Sequence, residues 1–404
     1  SYCYKGDSMR RIHLPVWLDG ASKPRAGTFV ILFSLEAWSR ATLITLVPLQ
    51  AHQLFGDAQS VSVLYFSISI AGLIAAMVIP ILVHWIRRRW AFSVGAVLML
   101  VAVGAYSTGI PAWFAFGLAC QVVATAFLEI VMNLYVLDHV PRSEITKFEP
   151  KRLLFVAAPF TFGPWLGVWL AEHMGPLVAY ITVGFFVVMM ACFFWFLRIT
   201  DNLAVSSPLK RPPNPIKYLP KFFKQPRLRL AWGLAIGRTG WWILFFVYAP
   251  IYLTTNGYSN ETAGLIISLG VGSMFLASLW GRLGQKYGIR FLLTLGYGLT
   301  GIVTILIAVF HGTPTIAVGL IVASAFVAVI IDGAGNVPFL RAVHALERSE
   351  MTSVYVTFRH TSQLVTPGIF AIALGMFALP AVFAVGGVAC FGMAALAQYL
   401  PKKL

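Results

Sequence analysis

Charge is what this sequence has least of. Only 11% of its 404 residues are Asp, Glu, Lys or Arg, against about 25% in an average soluble domain. Such a chain cannot show water a surface of ordinary composition, which excludes a soluble globular protein and places most of its surface in lipid. Cysteine is scarce too: Cys3, Cys120, Cys192 and Cys390 are all there are. The last three fall inside apolar runs and no Cys-x-x-Cys pair occurs, so they read as small hydrophobes rather than a disulfide or metal framework. No nucleophile–base pair, phosphate loop or metal cluster falls on one face, so the sequence predicts no enzyme and calls for no cofactor. No cleavable signal peptide is visible, because the first apolar run follows a basic tail and is long enough to span a bilayer. Met9-Arg10-Arg11 could be a native start, with Ser1–Ser8 an appended segment.

What the chain has in abundance is hydrophobicity: 59% of residues, a mean hydropathy of +0.81, and 12 Trp, many near the ends of apolar runs. That is the distribution of interfacial aromatic belts. Apolar runs cover 27–50, 61–83, 90–108, 112–137, 153–171, 177–197, 230–253, 262–280, 291–310, 314–338, 353–376 and 380–400. At about 20 residues to cross a bilayer, these predict an all-α membrane protein with about twelve transmembrane helices. Several are interrupted by Gly or Pro, which membrane helices tolerate when neighbours satisfy the freed backbone groups.

The net charge of +16 would suggest nucleic acid in a soluble protein. Here the cations sit in alternate loops, and no nucleic-acid partner is expected. The connections near 51–60, 106–111, 172–176, 254–261, 311–313 and 377–379 contain no Lys or Arg. The opposite set carries Arg87-Arg88-Arg89, then Arg142, Lys147, Lys151 and Arg152, then Arg282, Lys286 and Arg290, with Arg341 and Arg348. The positive-inside rule then puts both termini in the cytoplasm and the protein in the inner (plasma) membrane, multi-pass. Between runs six and seven, residues 198–229 hold Lys210-Arg211-Pro212-Pro213, Pro215, Lys217, Lys221 and Lys224. This reads as a polar connector along the anionic inner leaflet. It divides the chain into a tail (1–26), a first six-helix bundle (27–197), the linker (198–229), a second bundle (230–400) and a short tail (401–404).

The two halves share a pattern. Glu129-Ile-Val-Met-Asn133 is followed by Arg142-Ser143-Glu144, and Asp332-Gly-Ala-Gly-Asn336 by Arg348-Ser349-Glu350. Both copies stand near the end of an apolar run, roughly half a chain apart. A membrane unit used twice is the plan of transporters whose halves rock around a central site. The Arg-Ser-Glu segments read as solvated loop ends.

Two stretches resemble a known family. Gly281-Arg282-Leu283-Gly284-Gln285-Lys286-Tyr287-Gly288-Ile289-Arg290 resembles the Gly-x-x-x-Asp-Arg-x-Gly-Arg-Arg loop of the major facilitator superfamily, with Gln285 near the place of the Asp. The first-half counterpart, His84-Trp85-Ile86-Arg87-Arg88-Arg89, keeps only the basic part. Gly163-Pro164-Trp165-Leu166-Gly167 is similar to the Gly-Pro-x-x-Gly core found in that family's antiporters. The resemblance implies two six-helix bundles with helices one, four, seven and ten around a central cavity.

Ionisable residues within apolar runs cost a few kcal/mol each and default to functional candidates. Here they are Glu36 and Arg40 in run one, Glu129 in run four, Arg238 in run seven, Asp332 in run ten, and Arg359 and His360 in run eleven. Five of these seven fall on the helices that the resemblance places around the cavity. Glu36 and Arg40 share one helical face: either a mutually neutralised pair that lets the helix insert, or a proton acceptor beside an anion contact. Arg238 has no acidic neighbour at helical spacing and needs Glu36, Glu129, Asp332 or a substrate anion. Paired arginines on helices one and seven are similar to the arrangement in the superfamily's organophosphate carriers. Glu129 with Asn133, and Asp332 with Asn336, read as pairs one helical turn apart. They could bind a cation or proton, or latch the cytoplasmic gate with an arginine such as Arg359. Trp241, Trp242, Tyr248 and Tyr252 are either a stacking surface or packed core.

The expectation is a secondary active transporter, not an enzyme, working by alternating access with proton coupling. Arg40, Arg238, Trp241, Asn133 and Asn336 are its substrate candidates, and Glu36, Glu129, Asp332, Arg359 and His360 its coupling or gating candidates. The partners are a small organic anion or zwitterion, a proton or other coupling ion, and the bilayer, with the protein a monomer. Three alternatives stand beside it: a proton-coupled efflux antiporter of drugs or metabolites, a metal or siderophore carrier, and a non-transporting sensor or assembly factor. Met189, Met190, Met274 and His360 form no Met/His ladder on one face to favour soft metal.

Overall fold

The computed structural model describes residues 26–86, 88–139, 142–197, 215–344 and 347–401. The N-terminal tail and linker residues 198–214 lie outside them. Among the described residues the fold is helical throughout. The first half is α1 (Ala26–Phe55), α2 (Ala58–Trp85), α3 (Arg88–Ser107), α4 (Pro111–His139), α5 (Arg142–Met174) and α6 (Pro176–Phe196). A short helix, α7 (Pro215–Lys224), stands within the stretch read as a polar connector, and the seventh span starts right after it. That span is α8 (Pro226–Ile243), a wide π turn at Leu244–Tyr248, and α9 (Ala249–Thr255). Pro250 has no N–H to give back to the preceding turn, and the wide turn lies directly ahead of it. The eighth is α10 (Asn260–Gly272) and α11 (Ala277–Tyr287), bent by 46°. Then come α12 (Ile289–Val309), α13 (Pro314–Ala334), α14 (Val337–Ala342), α15 (Arg348–Tyr355), α16 (Phe358–Met376) and α17 (Pro380–Ala397).

Among the described residues, ten helical spans are long and apolar enough to cross a membrane, and the bent α10–α11 pair makes an eleventh. The remaining long helix, α16, has 19 residues but carries Arg359, His360 and Gln363, which dilute its hydropathy. The turns at residues 56–57, 108–110, 175, 256–259 and 377–379 all fall in the connections that lack Lys and Arg. The Lys and Arg placement predicts that this end faces outward, and it is labelled the outer face on that expectation; the end where α1 starts and α17 finishes is the terminal face.

Small residues decide how the helices meet. Lipid supplies little hydrophobic drive between helices, so close packing at small side chains does the work. In α5, a Cβ on Gly163 would lie 2.6 Å from Ala41 Cβ, and one on Gly167 would strike the Thr42 carbonyl oxygen. The Gly-Pro-x-x-Gly stretch is thus the seam on which α5 lies against α1. Gly333 does the same for α13 against α11, where a Cβ would come within 2.6 Å of Trp280 Cβ. Gly288, at φ +94°, makes the tight turn from α11 to α12. Within the first half α1 packs on α5 and α6, and α3 on α4; within the second, α12 packs on α13 and α17. Across the halves the broad contacts are α5 with α10 and α2 with α16.

Candidate functional site

Six of the seven intramembrane ionisable residues are arranged as three carboxylate–arginine pairs. The first is local: Arg40 Nε lies 2.6 Å from Glu36 Oε1, one turn along α1, with Glu36 buried and Arg40 one-third exposed. A carboxylate four residues ahead of a cation is the favourable order on a helix. The second joins the halves: Arg359 on α16 donates to Glu129 on α4. Glu129 also lies within electrostatic reach of Arg40, and His360 within reach of Glu129. Glu36, Arg40, Glu129, Arg359 and His360 therefore form one coupled group. His360 is half-buried beside Arg359 on α16.

The third pair lies wholly in the second half. Arg238 Nε on α8 is 3.7 Å from Asp332 Oδ1 on α13, and Arg238 Nη2 donates to Asn336 Oδ1 at 3.1 Å. Trp242 Nε1 donates to the other Asp332 oxygen at 2.8 Å, and the Tyr355 hydroxyl donates to Asn336 Oδ1 at 3.2 Å. Phe358 lies beneath both Arg238 and Arg359, with each guanidinium 5.9 Å from the ring centre. Tyr355 and Phe358 thus stand where the two charge groups approach each other.

Placement of the remaining candidates is mixed. Trp241 is buried and donates to Thr304 Oγ1 at 3.0 Å while stacking on Phe245, so it belongs to the core of the second half. Its neighbour Trp242 is the tryptophan that reaches the charges. Tyr248 crosses to the first half, its hydroxyl 2.7 Å from Ser62 Oγ, and Tyr252 donates to the His311 carbonyl. Asn133 is exposed on α4, one turn beyond Glu129. Asp332 and Asn336 are not one helical turn apart, as the repeat suggests. Helix α13 ends at Ala334, and Gly335 turns the chain at φ +50° before Asn336. The break swings Asn336 back onto Arg238. The glycines of Asp332-Gly-Ala-Gly-Asn336, absent from Glu129-Ile-Val-Met-Asn133, are the signal for it. Arg142 and Arg348 open α5 and α15 rather than ending loops; the side chains of both Arg-Ser-Glu segments lie outside the described residues. Among the described residues no three His, Cys, Asp or Glu side chains gather to hold a metal ion.

Toward the outer face the halves are closely joined. Pro164 cannot supply a helical N–H, and the next amide, Trp165 N, donates across the interface to Ser268 Oγ on α10 at 2.9 Å. A Cβ on Gly264 would sit 3.1 Å from the Pro164 carbonyl oxygen, so α10 lies directly against α5 at this proline. Deeper in the bundle, Ser69 on α2 donates to the Gln363 carbonyl of α16 at 2.8 Å, one turn from Arg359.

A family model described as Major Facilitator Superfamily matches residues 29–346 and, in a second match, 230–403. No curated protein matches the sequence significantly. Among solved structures, the nucleoside transporter NupG is similar over 93% of this chain and 99% of its own, with a TM-score of 0.73 at 15% identity. A D-xylose–proton symporter is similar over 94% and 99%, with a TM-score of 0.74 at 14% identity. A bacterial homologue of the iron transporter ferroportin, in its inward-facing state, is similar over 93% and 97%, with a TM-score of 0.67 at 16% identity. At such identities the likeness is one of fold.

Proposed function

The chain belongs to the Major Facilitator Superfamily, and we propose that it is a proton-coupled secondary transporter that carries a small zwitterionic or polar molecule across the inner membrane by alternating access. The observation that carries this reading is the balance of the charge groups. Glu36 faces Arg40, Glu129 faces Arg359 and Asp332 faces Arg238. Each arginine already has a carboxylate, so a cargo with net negative charge would have to displace one. A zwitterion brings both signs and keeps the count level. Around Arg238, the Trp242 indole, the Asn336 amide and the Tyr355 hydroxyl are polar groups from three elements that can orient a bound molecule.

Coupling follows from the same pairs. A proton on a carboxylate cancels its attraction for the partner arginine, which is worth far more away from bulk water than in it. At Glu129 that attraction spans the halves, so a proton there releases α4 from α16 at the terminal side. With the termini cytoplasmic, as the Lys and Arg placement predicts, the released side is the cytoplasmic one. Close joining at the outer face, with the Glu129–Arg359 ion pair spanning the halves toward the terminal face, fits a state poised to open inward. Efflux by antiport shares this machinery, and direction is set by which cargo binds on which side.

The test is a thermal-shift screen of the purified protein against zwitterions, organic anions, neutral polar molecules and cationic drugs at two pH values, since a bound ligand stabilises by mass action. Stabilisation by zwitterions, dependent on pH and lost in Arg238→Ala, is the expected result. Preferential stabilisation by anions at both pH values, or flux in proteoliposomes unchanged by Arg238→Ala, would overturn it.

A further inference from the structure

Along α5, Trp165, Trp169 and His173 recur every fourth residue and form a ladder of rings on one face. Trp165 and Trp169 have ring centres 6.0 Å apart, and His173 stacks on Trp169 at 5.1 Å. Glu261, in the first turn of α10 in the other half, meets both ends of this ladder. Its Oε1 accepts from Trp165 Nε1 at 3.4 Å, and its Oε2 lies 3.8 Å from His173 Nε2.

The hydrogens on the ring follow from its partners. His173 Nδ1 lies 3.1 Å from the Trp169 carbonyl oxygen, which can only accept, so Nδ1 carries a hydrogen. In the neutral ring Nε2 is then bare and presents a lone pair to the Glu261 carboxylate. Only the imidazolium has a donor for each acceptor. His173 stands in the last turn of α5 and Glu261 in the first turn of α10, so each charge also suits its helix end.

We infer that His173 and Glu261 form a proton-operated latch that holds the two halves together at the outer face. It deepens the alternating-access reading but is independent of cargo and of the inner carboxylates. Helix α5 packs on α1, α6 and α10. On α10 the only charged side chain is Glu261, with Tyr258 in the turn ahead of it. Helix α6 has no charged residue, and its Tyr180 is hydrogen-bonded to Gln50. The outer end of α1 brings His52, which lies within electrostatic reach of Asp57. On α5 itself Glu172 adjoins His173 and adds a second carboxylate. Acid outside the membrane, which charges histidines, therefore strengthens the latch and keeps the outer face closed.

The test uses a thiol introduced as Ser62→Cys in the full chain, with Cys3 and Cys192 replaced by Ser. Ser62 is fully buried against Tyr248 of the other half, so a membrane-impermeant maleimide reaches it only when the outer face opens. Partly exposed ion pairs are weak, so lowering external pH from about 7.5 to about 5.5 is expected to slow labelling about two- to fivefold more with the latch intact than in His173→Gln. Glu261→Gln should match His173→Gln, and the double variant should do no more than either. Equal pH ratios in the intact latch and His173→Gln overturn the proposal, as do additive effects of the two changes. If labelling responds to Glu129→Gln but not to His173 or Glu261, the latch alone fails. If the thiol is never labelled in any variant, both the latch and alternating access fail.

Discussion

Arg359 and Glu129 stand 230 positions apart in the chain, on α16 and α4, and form an ion pair that joins the two halves toward the terminal face. Arg359 is more than half exposed and Glu129 more than one-third, so the pair is accessible enough to exchange protons and close enough to hold. Neutralising Glu129 as Glu129→Gln mimics the protonated carboxyl. One coupled proton crossing a gradient of about one pH unit can drive about tenfold accumulation, since that gradient is worth about 1.4 kcal/mol. Glu129→Gln is expected to lose that accumulation while retaining exchange of cargo. Proteoliposome uptake with and without a pH gradient checks it.

Arg238 and Asp332 are coupled more tightly to folding, because their side chains are only 14% and 22% exposed. Breaking a buried pair by removing one partner costs about 3–5 kcal/mol. At 3.7 Å and with some exposure, about 2 kcal/mol is expected here for Asp332→Ala. Arg238→Gln combined with Asp332→Asn should recover part of that loss, read as unfolding temperatures of the single and double variants in detergent.

The α1–α5 seam predicts a steric cost. Gly167→Ala places a methyl on the Thr42 carbonyl oxygen, which belongs to backbone and cannot turn aside. Overpacking of this kind costs about 1–3 kcal/mol, and the upper end is expected. Gly104→Ala, where a Cβ meets nothing within 4 Å, is the matched control and should leave the unfolding temperature unchanged.

Much of the fold is legible in the sequence because its signals are compositional. Long apolar runs and alternating Lys and Arg do not depend on which side chains meet. Charges such as Glu129 and Arg359 stand out against their apolar surroundings, so the candidates can be named. Their partners cannot, because nothing local ties position 129 to 359 or 238 to 332. Trp241 and Trp242 are indistinguishable in sequence; packing against Thr304 turns one into the core and leaves the other to Asp332. Tyr355 escapes a sequence reading because its role depends on the break at Gly335, which brings Asn336 within its reach. His173 escapes it too, although its spacing from Trp165 and Trp169 is readable, since Glu261 lies in the other half.

Outside the membrane spans, Asp57 caps α2. Its Oδ1 accepts from the Ser60 amide at 2.6 Å, and that bond holds its carboxyl below the usual range. A carboxyl with a lower pKa in the folded protein stabilises above the unfolded value of about 3.9 and loses that share as pH falls through the folded value. Asp57→Ala should therefore cost about 1 kcal/mol at neutral pH, with the difference from the parent protein disappearing in strong acid. Unfolding temperatures measured across that range check it.

If a proton breaks the Glu129–Arg359 pair, the halves must part at the terminal face. Spin labels at Asn133→Cys and Val356→Cys, on exposed positions near the two partners, report that separation, with Cys3 and Cys192 replaced by Ser. One short distance is expected near pH 7.5, and a longer population that grows as pH is lowered. Glu129→Gln should show the longer population at every pH. A single distance, unmoved by pH and by Glu129→Gln, would refute proton-driven opening at this pair.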